Sequence, residues 1–426
     1  MSKRRVVVTG LGVVAPNGVG VPAFTKAIMQ GRSGVRWLPE FQDLKFYCQV
    51  TGRPDFTWES LLDYIPEVTY HGLRGWGIAY GIRAACEAWI DAGLDMDTEQ
   101  PRWDTGCVFG NSDIDSTLMS SVINKVNALE TKKLGSRVVE QIMNSGVTAY
   151  ITGRLGLGGK TLSNSAACAT GTQSILMGYE YIALGLADRM VVGSTEYVDT
   201  YIFASFDAMR VLSRKFNDTP EKASRPMSRS AGGFVPGSGA GALILESLES
   251  ARARGARIYA EVRGGATNSG GQRGGGSMTA PSSEGVVRCI REALRTTGTD
   301  PASIDLVGGH LTATLGDLPE IQNWILALDR KGGNFPMINS LKSMVGHCLS
   351  AAGSIESVAV VLQIVHQFIH PNINLEDPNP EIVKRIDEDR MPTACLQHEI
   401  NTVIKANFGF GDVNTCLIFS KCNDHG

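Results

Sequence analysis

The chain has 426 residues, of which 43% are hydrophobic, with a formal net charge of −3. That is enough apolar material for a large core, with two or three domains as the starting expectation from length, and without the basic surplus of a nucleic-acid-binding protein. Its nine cysteines are irregularly spaced, which points to a reduced cytosolic setting and against a disulfide scaffold.

Ser2-Lys3-Arg4-Arg5 has the charge of a signal n-region, but Val6 to Val14 is broken by glycines and reads as a first strand. Asn164-Ser165-Ala166-Ala167-Cys168-Ala169-Thr170-Gly171 then leads into the apolar run Ile175 to Leu186. This predicts a loop ending where a buried helix begins, with Cys168 in the first turn. Unpaired N–H groups and the positive end of the helix dipole favour a thiolate there. The segment Glu249 to Arg254 is charged and Ala-rich. Gly264-Gly265 and Gly270 to Gly276 are glycine-rich but lack a Gly-Lys-Ser/Thr ending, so a mobile loop beside a site entrance is expected rather than a nucleotide loop.

His310 follows the apolar stretch Ile304-Asp305-Leu306-Val307 and two glycines. His347 ends the stretch Asn339 to Gly346, which contains Lys342, and precedes an apolar helix expected from Ile355 to Ile369. Each imidazole stands at a strand-to-helix junction, where side chains meet in a cleft. The helix carries Glu356, Gln363, His366 and Gln367 and is not expected to span a membrane. Near the C-terminus, Asn407-Phe408-Gly409-Phe410-Gly411-Asp412-Val413-Asn414 alternates aromatics with glycines. Such a turn can present backbone N–H groups to an oxyanion and a ring as a gate. One thiol and two imidazoles suit nucleophilic carbonyl chemistry with acid/base or hydrogen-bonding help. Lys342 is a cation able to hold a nearby imidazole neutral. No CxxC or HExxH is present, so no metal site is expected.

These segments together resemble the β-ketoacyl-acyl-carrier-protein synthases, the KAS I/II type condensing enzymes of the thiolase superfamily. The resemblance runs from Arg5 to Phe419 and includes Phe206-Asp207-Ala208-Met209, Asn217 to Arg225 and Gly255 to Val262. It implies an α/β thiolase-like fold, two similar halves forming a five-layer αβαβα arrangement. The first half (1–253) would carry Cys168, and the second (254–426) both histidines and the Phe408–Gly411 turn. It also implies that Cys168 carries the acyl chain and that the N–H groups of Cys168 and Phe410 form the oxyanion hole. His310 and His347 would assist decarboxylation of a malonyl thioester. Lys342 and Glu320 would be supporting charges, Thr312 and Thr314 would bind the phosphopantetheine arm, and Phe410 would gate. No cofactor beyond that carrier-bound arm is implied. The implied partner is acyl carrier protein, docking on basic residues such as Lys125, Lys132, Lys133 and Arg137. A cytoplasmic homodimer without membrane insertion is implied as well.

The chain departs from the family pattern at Leu311, Ala313 and Leu315, at Ala231-Gly232-Gly233-Phe234 and at Gly411-Asp412-Val413-Asn414. It is one residue shorter before Asp317 and Glu320. Gly308 and Ala406 replace asparagines that help hold a monovalent cation in some relatives. Chain elongation for fatty acids is the first expectation. A ketosynthase of a dedicated polyene or polyketide-like pathway, and a non-catalytic partner subunit, are the alternatives. Retention of Cys168, His310, His347 and Lys342 weighs against the silent subunit. A biosynthetic thiolase would need a second catalytic cysteine, and neither Cys395 nor Cys416 has that context.

Overall fold

In the strand Val6–Ala15, alternate side chains enter different cores, as the period of two requires. Val6 and Val8 face the central core, and so do Leu11, Val13 and Ala15. The parity flips because a bulge between Val8 and Gly10 shifts the register against the strand Gly239–Ser247. Gly10 and Gly12 then admit the helix Trp76–Asp91. A Cβ at these glycines would lie 2.1 Å from the Ala88 oxygen and 1.9 Å from the Ala84 oxygen. The computed structural model describes residues 3–113 and 115–422.

The chain repeats one topology. Its first half contributes strands at Val6–Ala15, Thr105–Gly110, Thr161–Leu162, Arg189–Glu196 and Gly239–Ser247. The second contributes Ala260–Ser269, Leu306–Gly308, Met337–Asn339, Thr402–Gly409 and Val413–Ser420. Numbered in chain order within each half, both sets run 3-2-4-5-1 from the sheet edge to the centre. In both, strand 2 pairs parallel with 3 and 4, while 4–5 and 5–1 are antiparallel. The two first strands join the halves antiparallel, with Val6 opposite Val262.

Helices complete five layers. Trp76–Asp91 covers the outside of the first half, and Ser283–Thr297 with Asp317–Leu328 covers the second. Between the two halves of the sheet lie Thr170–Ala183 and Leu349–His366, each following strand 3 of its half. The second is long and apolar enough to cross a membrane by length and composition, but every residue from Leu349 to Ile364 is buried inside the protein. The two helices meet backbone to backbone. A Cβ at Gly171 would lie 2.4 Å from the Ser354 nitrogen, and one at Gly353 would lie 2.4 Å from the Thr172 nitrogen.

Candidate active site

Cys168 precedes the helix Thr170–Ala183 by two residues, rather than lying in its first turn as expected. The loop is pinned locally: Thr170 Oγ1 accepts from the Ala166 N–H at 2.8 Å and donates to the Ala167 carbonyl at 2.7 Å. Ala167 sits at φ 46°, in the left-handed region that turns the chain sharply before the nucleophile. Gly409 packs directly behind the loop, where a Cβ would come within 2.7 Å of the Ala166 oxygen. This brings the Phe408–Gly411 turn to the thiol, and the backbone N–H groups of Phe410 and Cys168 reach the sulfur.

The expectation of a thiolate is corrected. Burial pushes the Cys168 thiol up to about 12, and Lys342 with the two N–H groups only partly offsets it. Desolvation of the sulfur outweighs these favourable contacts. The resting thiol is therefore protonated.

The two imidazole rings meet edge to face, with centroids 5.3 Å apart. His310 packs on Phe408 at 5.8 Å and His347 on Phe234 at 5.5 Å. Burial and the Lys342 charge hold both neutral: His310 falls well below the usual range and His347 to about 3. Neutral rings each offer one N–H donor. His347 Nδ1 has no hydrogen-bond partner among the described residues.

The supporting residues divide by role. Glu320 accepts the backbone N–H groups of His310 and Leu311, each at 2.7 Å, and the Trp324 indole at 3.2 Å. It fixes the His310 loop from behind. Burial, with the Asp317 charge, raises its carboxyl to about 7. Asp317 takes the N–H groups of Met227 and Thr312. Thr312 and Thr314 stand on the same loop, half-buried, with hydroxyls 3.0 Å apart. Leu315 beside them is 97% exposed. The Phe410 ring faces Phe206 at 6.3 Å, and Phe206 continues to Phe234 at 5.4 Å, so the gate candidate and His347 share one aromatic row.

Lys342 has a partner that sequence reasoning missed as a site residue. Its ammonium pairs with Glu356 Oε1 inside the protein. The other carboxylate oxygen accepts from Lys405 Nζ at 3.0 Å and from Asn407 Nδ2 at 3.0 Å. The only signals in the sequence were an acid inside an apolar helix and a lysine inside an apolar strand. Lys342 and Lys405 together pull the Glu356 carboxyl down to about 2 against its burial.

The residues at the cation position do not fit an alkali metal. Gly308 and Ala406 bring no side-chain oxygen. Gly308 lies opposite Lys405 in the sheet, and a Cβ there would stand 3.3 Å from Lys405 Cγ. The charge beside Glu356 is an ammonium. Among the described residues no group of three or more His, Cys, Asp or Glu is placed to hold a metal ion.

The glycine-rich stretch divides in two. Gly264 and Gly265 belong to the strand Ala260–Ser269, and Gly270–Gly276 forms a loop against the Phe410 turn. Asp412 holds it: its carbonyl accepts from Gly270 N–H at 3.0 Å and its carboxylate from Gln272 and Ser282 N–H, each at 2.9 Å. Lys125, Lys132, Lys133 and Arg137 lie away from these contacts. Lys125 bonds the Lys133 carbonyl, Lys133 pairs with Glu130, and Arg137 bonds the Val68 carbonyl.

A thiol from one half and two imidazoles from the other, between buried helices of a duplicated α/β fold, define a thiolase-like ketosynthase. A β-ketoacyl synthase structure from Burkholderia phymatum superposes with a TM-score of 0.89 at 29% identity, covering 99% of this chain and 100% of that one. The ishigamide ketosynthase/chain length factor gives 0.86 at 28% identity, with the same coverage. Residues 3–251 match the family model of the β-ketoacyl synthase N-terminal domain, and 259–376 that of its C-terminal domain. The chain is 34% identical to 3-oxoacyl-[acyl-carrier-protein] synthase 2 of Vibrio harveyi, over 99% of each chain. It is equally similar to synthase 1 of Escherichia coli K12, over 99% of this chain and 100% of that one. The chain belongs to the β-ketoacyl synthase family and is an acyltransferase of the condensing type.

Proposed function

We propose that the protein condenses a malonyl thioester on acyl carrier protein with an acyl chain held on Cys168. The observation that carries this reading is the convergence of the Cys168 sulfur, the Phe410 N–H and two neutral imidazoles around one buried Lys342 charge. In the first step the sulfur bonds the acyl carbonyl carbon, the carrier sulfur leaves, and the thiol proton goes to it. The N–H groups of Cys168 and Phe410 hold the oxyanion. In the second, the bond between the malonyl carboxylate and its α-carbon breaks, carbon dioxide departs, and the electron pair forms an enolate. Imidazole N–H donors of His310 and His347 stabilise that enolate in a water-poor site. Its α-carbon attacks the acyl carbonyl, Cys168 leaves as a thiolate, and a proton from solvent restores the thiol.

Thr312 and Thr314, at the loop edge beside exposed Leu315, are the proposed contacts of the phosphopantetheine arm, which makes a separate cofactor unnecessary. The carrier reading is supported by a type II polyketide ketosynthase solved with its acyl-carrier protein, similar at a TM-score of 0.85 and 30% identity. Lys132 and its basic neighbours remain the proposed docking residues. A homodimer in the cytoplasm is part of the proposal. The homodimer is supported by the exposed edge strand Thr161–Leu162, and the cytoplasmic setting by the irregular cysteine spacing. The division into halves is placed at 253/254, in the turn after the helix Leu248–Ala253.

A second reading, a ketosynthase of a dedicated polyene or polyketide-like pathway, is favoured by Asp412 and Leu315, which replace family residues at the gate and the mouth. One assay tests both. Malonyl-acyl carrier protein is incubated with a panel of acyl-acyl carrier proteins, and products are weighed by mass spectrometry. Absence of any β-ketoacyl product, or a stable acyl adduct on Cys168→Ala, would remove the reading.

A further inference from the structure

Asn407 occupies an unusual position in this charge network. Its Oδ1 accepts from the Lys405 ammonium and from Thr172 Oγ1. Its Nδ2 donates to Glu356 Oε2 at 3.0 Å and meets His310 Nδ1 at 3.1 Å. The orientation of the amide is not free. An ammonium can only donate and an ionised carboxylate can only accept, so the oxygen must face Lys405 and the nitrogen Glu356. The second amide hydrogen then points at His310 Nδ1, which must be the acceptor. All three ammonium hydrogens of Lys405 are used, on Glu356, on Thr172 at 3.0 Å and on Asn407. Lys405 is fully buried.

We propose that Lys405 is a built-in cation which, through Asn407, locks His310 in the Nε2–H tautomer and so aims its single proton at the reacting oxygen. The ammonium lies opposite Gly308, one of the two places where the resemblance would put a cation-holding asparagine, and it is held covalently. Lys405 and Asn407 are positioning residues: neither touches substrate, and both act through His310. The inference rests on the condensing reaction proposed above. Its chemistry is the same reason a wrong tautomer is costly in any imidazole donor: the ring would present a lone pair, not a proton, to a developing enolate.

The test has two readouts. In wild-type protein with ¹⁵N-labelled histidine, the ring resonances assigned by their loss in His310→Gln should show a protonated Nε2 and a bare Nδ1. In Asn407→Leu and Lys405→Met that signature should become mixed. Carbon dioxide release from malonyl-acyl carrier protein should fall about tenfold or more in both variants, while acyl loading of Cys168, followed by intact mass, stays near wild type. Wild-type release should be the same in sodium, potassium and choline chloride. A protonated Nδ1 on wild-type His310, unchanged decarboxylation in a folded Lys405→Met, or activation by potassium over choline would each overturn the proposal. A wild-type protein that releases no carbon dioxide would instead remove the functional reading, and the tautomer measurement would still decide this one.

Discussion

Glu356→Gln is the sharpest perturbation of the buried charge network, because one carboxylate neutralises two ammonium groups. The substitution keeps the shape and leaves Lys342 and Lys405 without an anion. Two routes give its magnitude. The Glu356 carboxyl drops from an ordinary 4.5 to about 2 on folding. At about 1.4 kcal/mol per pH unit, that is on the order of 3 kcal/mol of stability carried by the ionised form. Removing one partner of a buried ion pair independently costs about 3–5 kcal/mol. A chain of this size loses about 2 °C of unfolding midpoint per kcal/mol, so a fall of about 6 °C is expected. The sign follows from the folded value lying below the unfolded one. The stabilisation is complete above about 4.5 and disappears as pH falls toward about 2, where wild type protonates too. Thermal unfolding by circular dichroism across that range should therefore show two curves converging in acid. A variant as stable as wild type at neutral pH, or a gap that persists unchanged into acid, would refute the reasoning.

Alkylation of Cys168 by iodoacetamide should be slow at neutral pH and rise about tenfold per pH unit well into the alkaline range, since burial keeps the thiol protonated; a plateau near neutrality would contradict this. His310→Ala and His347→Ala should still load acyl chains on Cys168, yet lose about 100-fold or more in condensation by product mass analysis. Full condensation by either would remove that imidazole from the chemistry. Gly353→Val should unfold at lower temperature or fail to accumulate, because its Cβ falls 2.4 Å from the Thr172 nitrogen; a stable, active variant would show that the helix crossing yields. Phe410→Ala should change acyl transfer rates over a series of chain lengths, and identical kinetics would count against gating.

Residues carrying local signals were legible. Cys168, His310 and His347 lie among small residues at the ends of apolar runs, and the Phe408–Gly411 turn announces itself by its glycines. Lys405, Asn407 and Glu356 were not, because each looks like an interruption of an otherwise apolar element. Their meaning lies in contacts that reach across 14 to 235 residues of chain, which no window of sequence displays. The protonation state of Cys168 was missed for a related reason. A helix end is visible in sequence, while the burial that raises the thiol appears only once the chain is folded. Glycine content likewise suggested one mobile loop, where pairing places Gly264 and Gly265 in a central strand and Asp412 tethers the rest.

The repeated 3-2-4-5-1 topology has a consequence for the origin of the site. Cys168 stands two residues before the buried helix of the first half, and His347 stands two residues before its counterpart in the second. Nucleophile and imidazole are thus the same position, used twice. Because both halves belong to one chain, the two equivalent places can hold different residues, so a symmetric scaffold presents an asymmetric pair of groups to a single site.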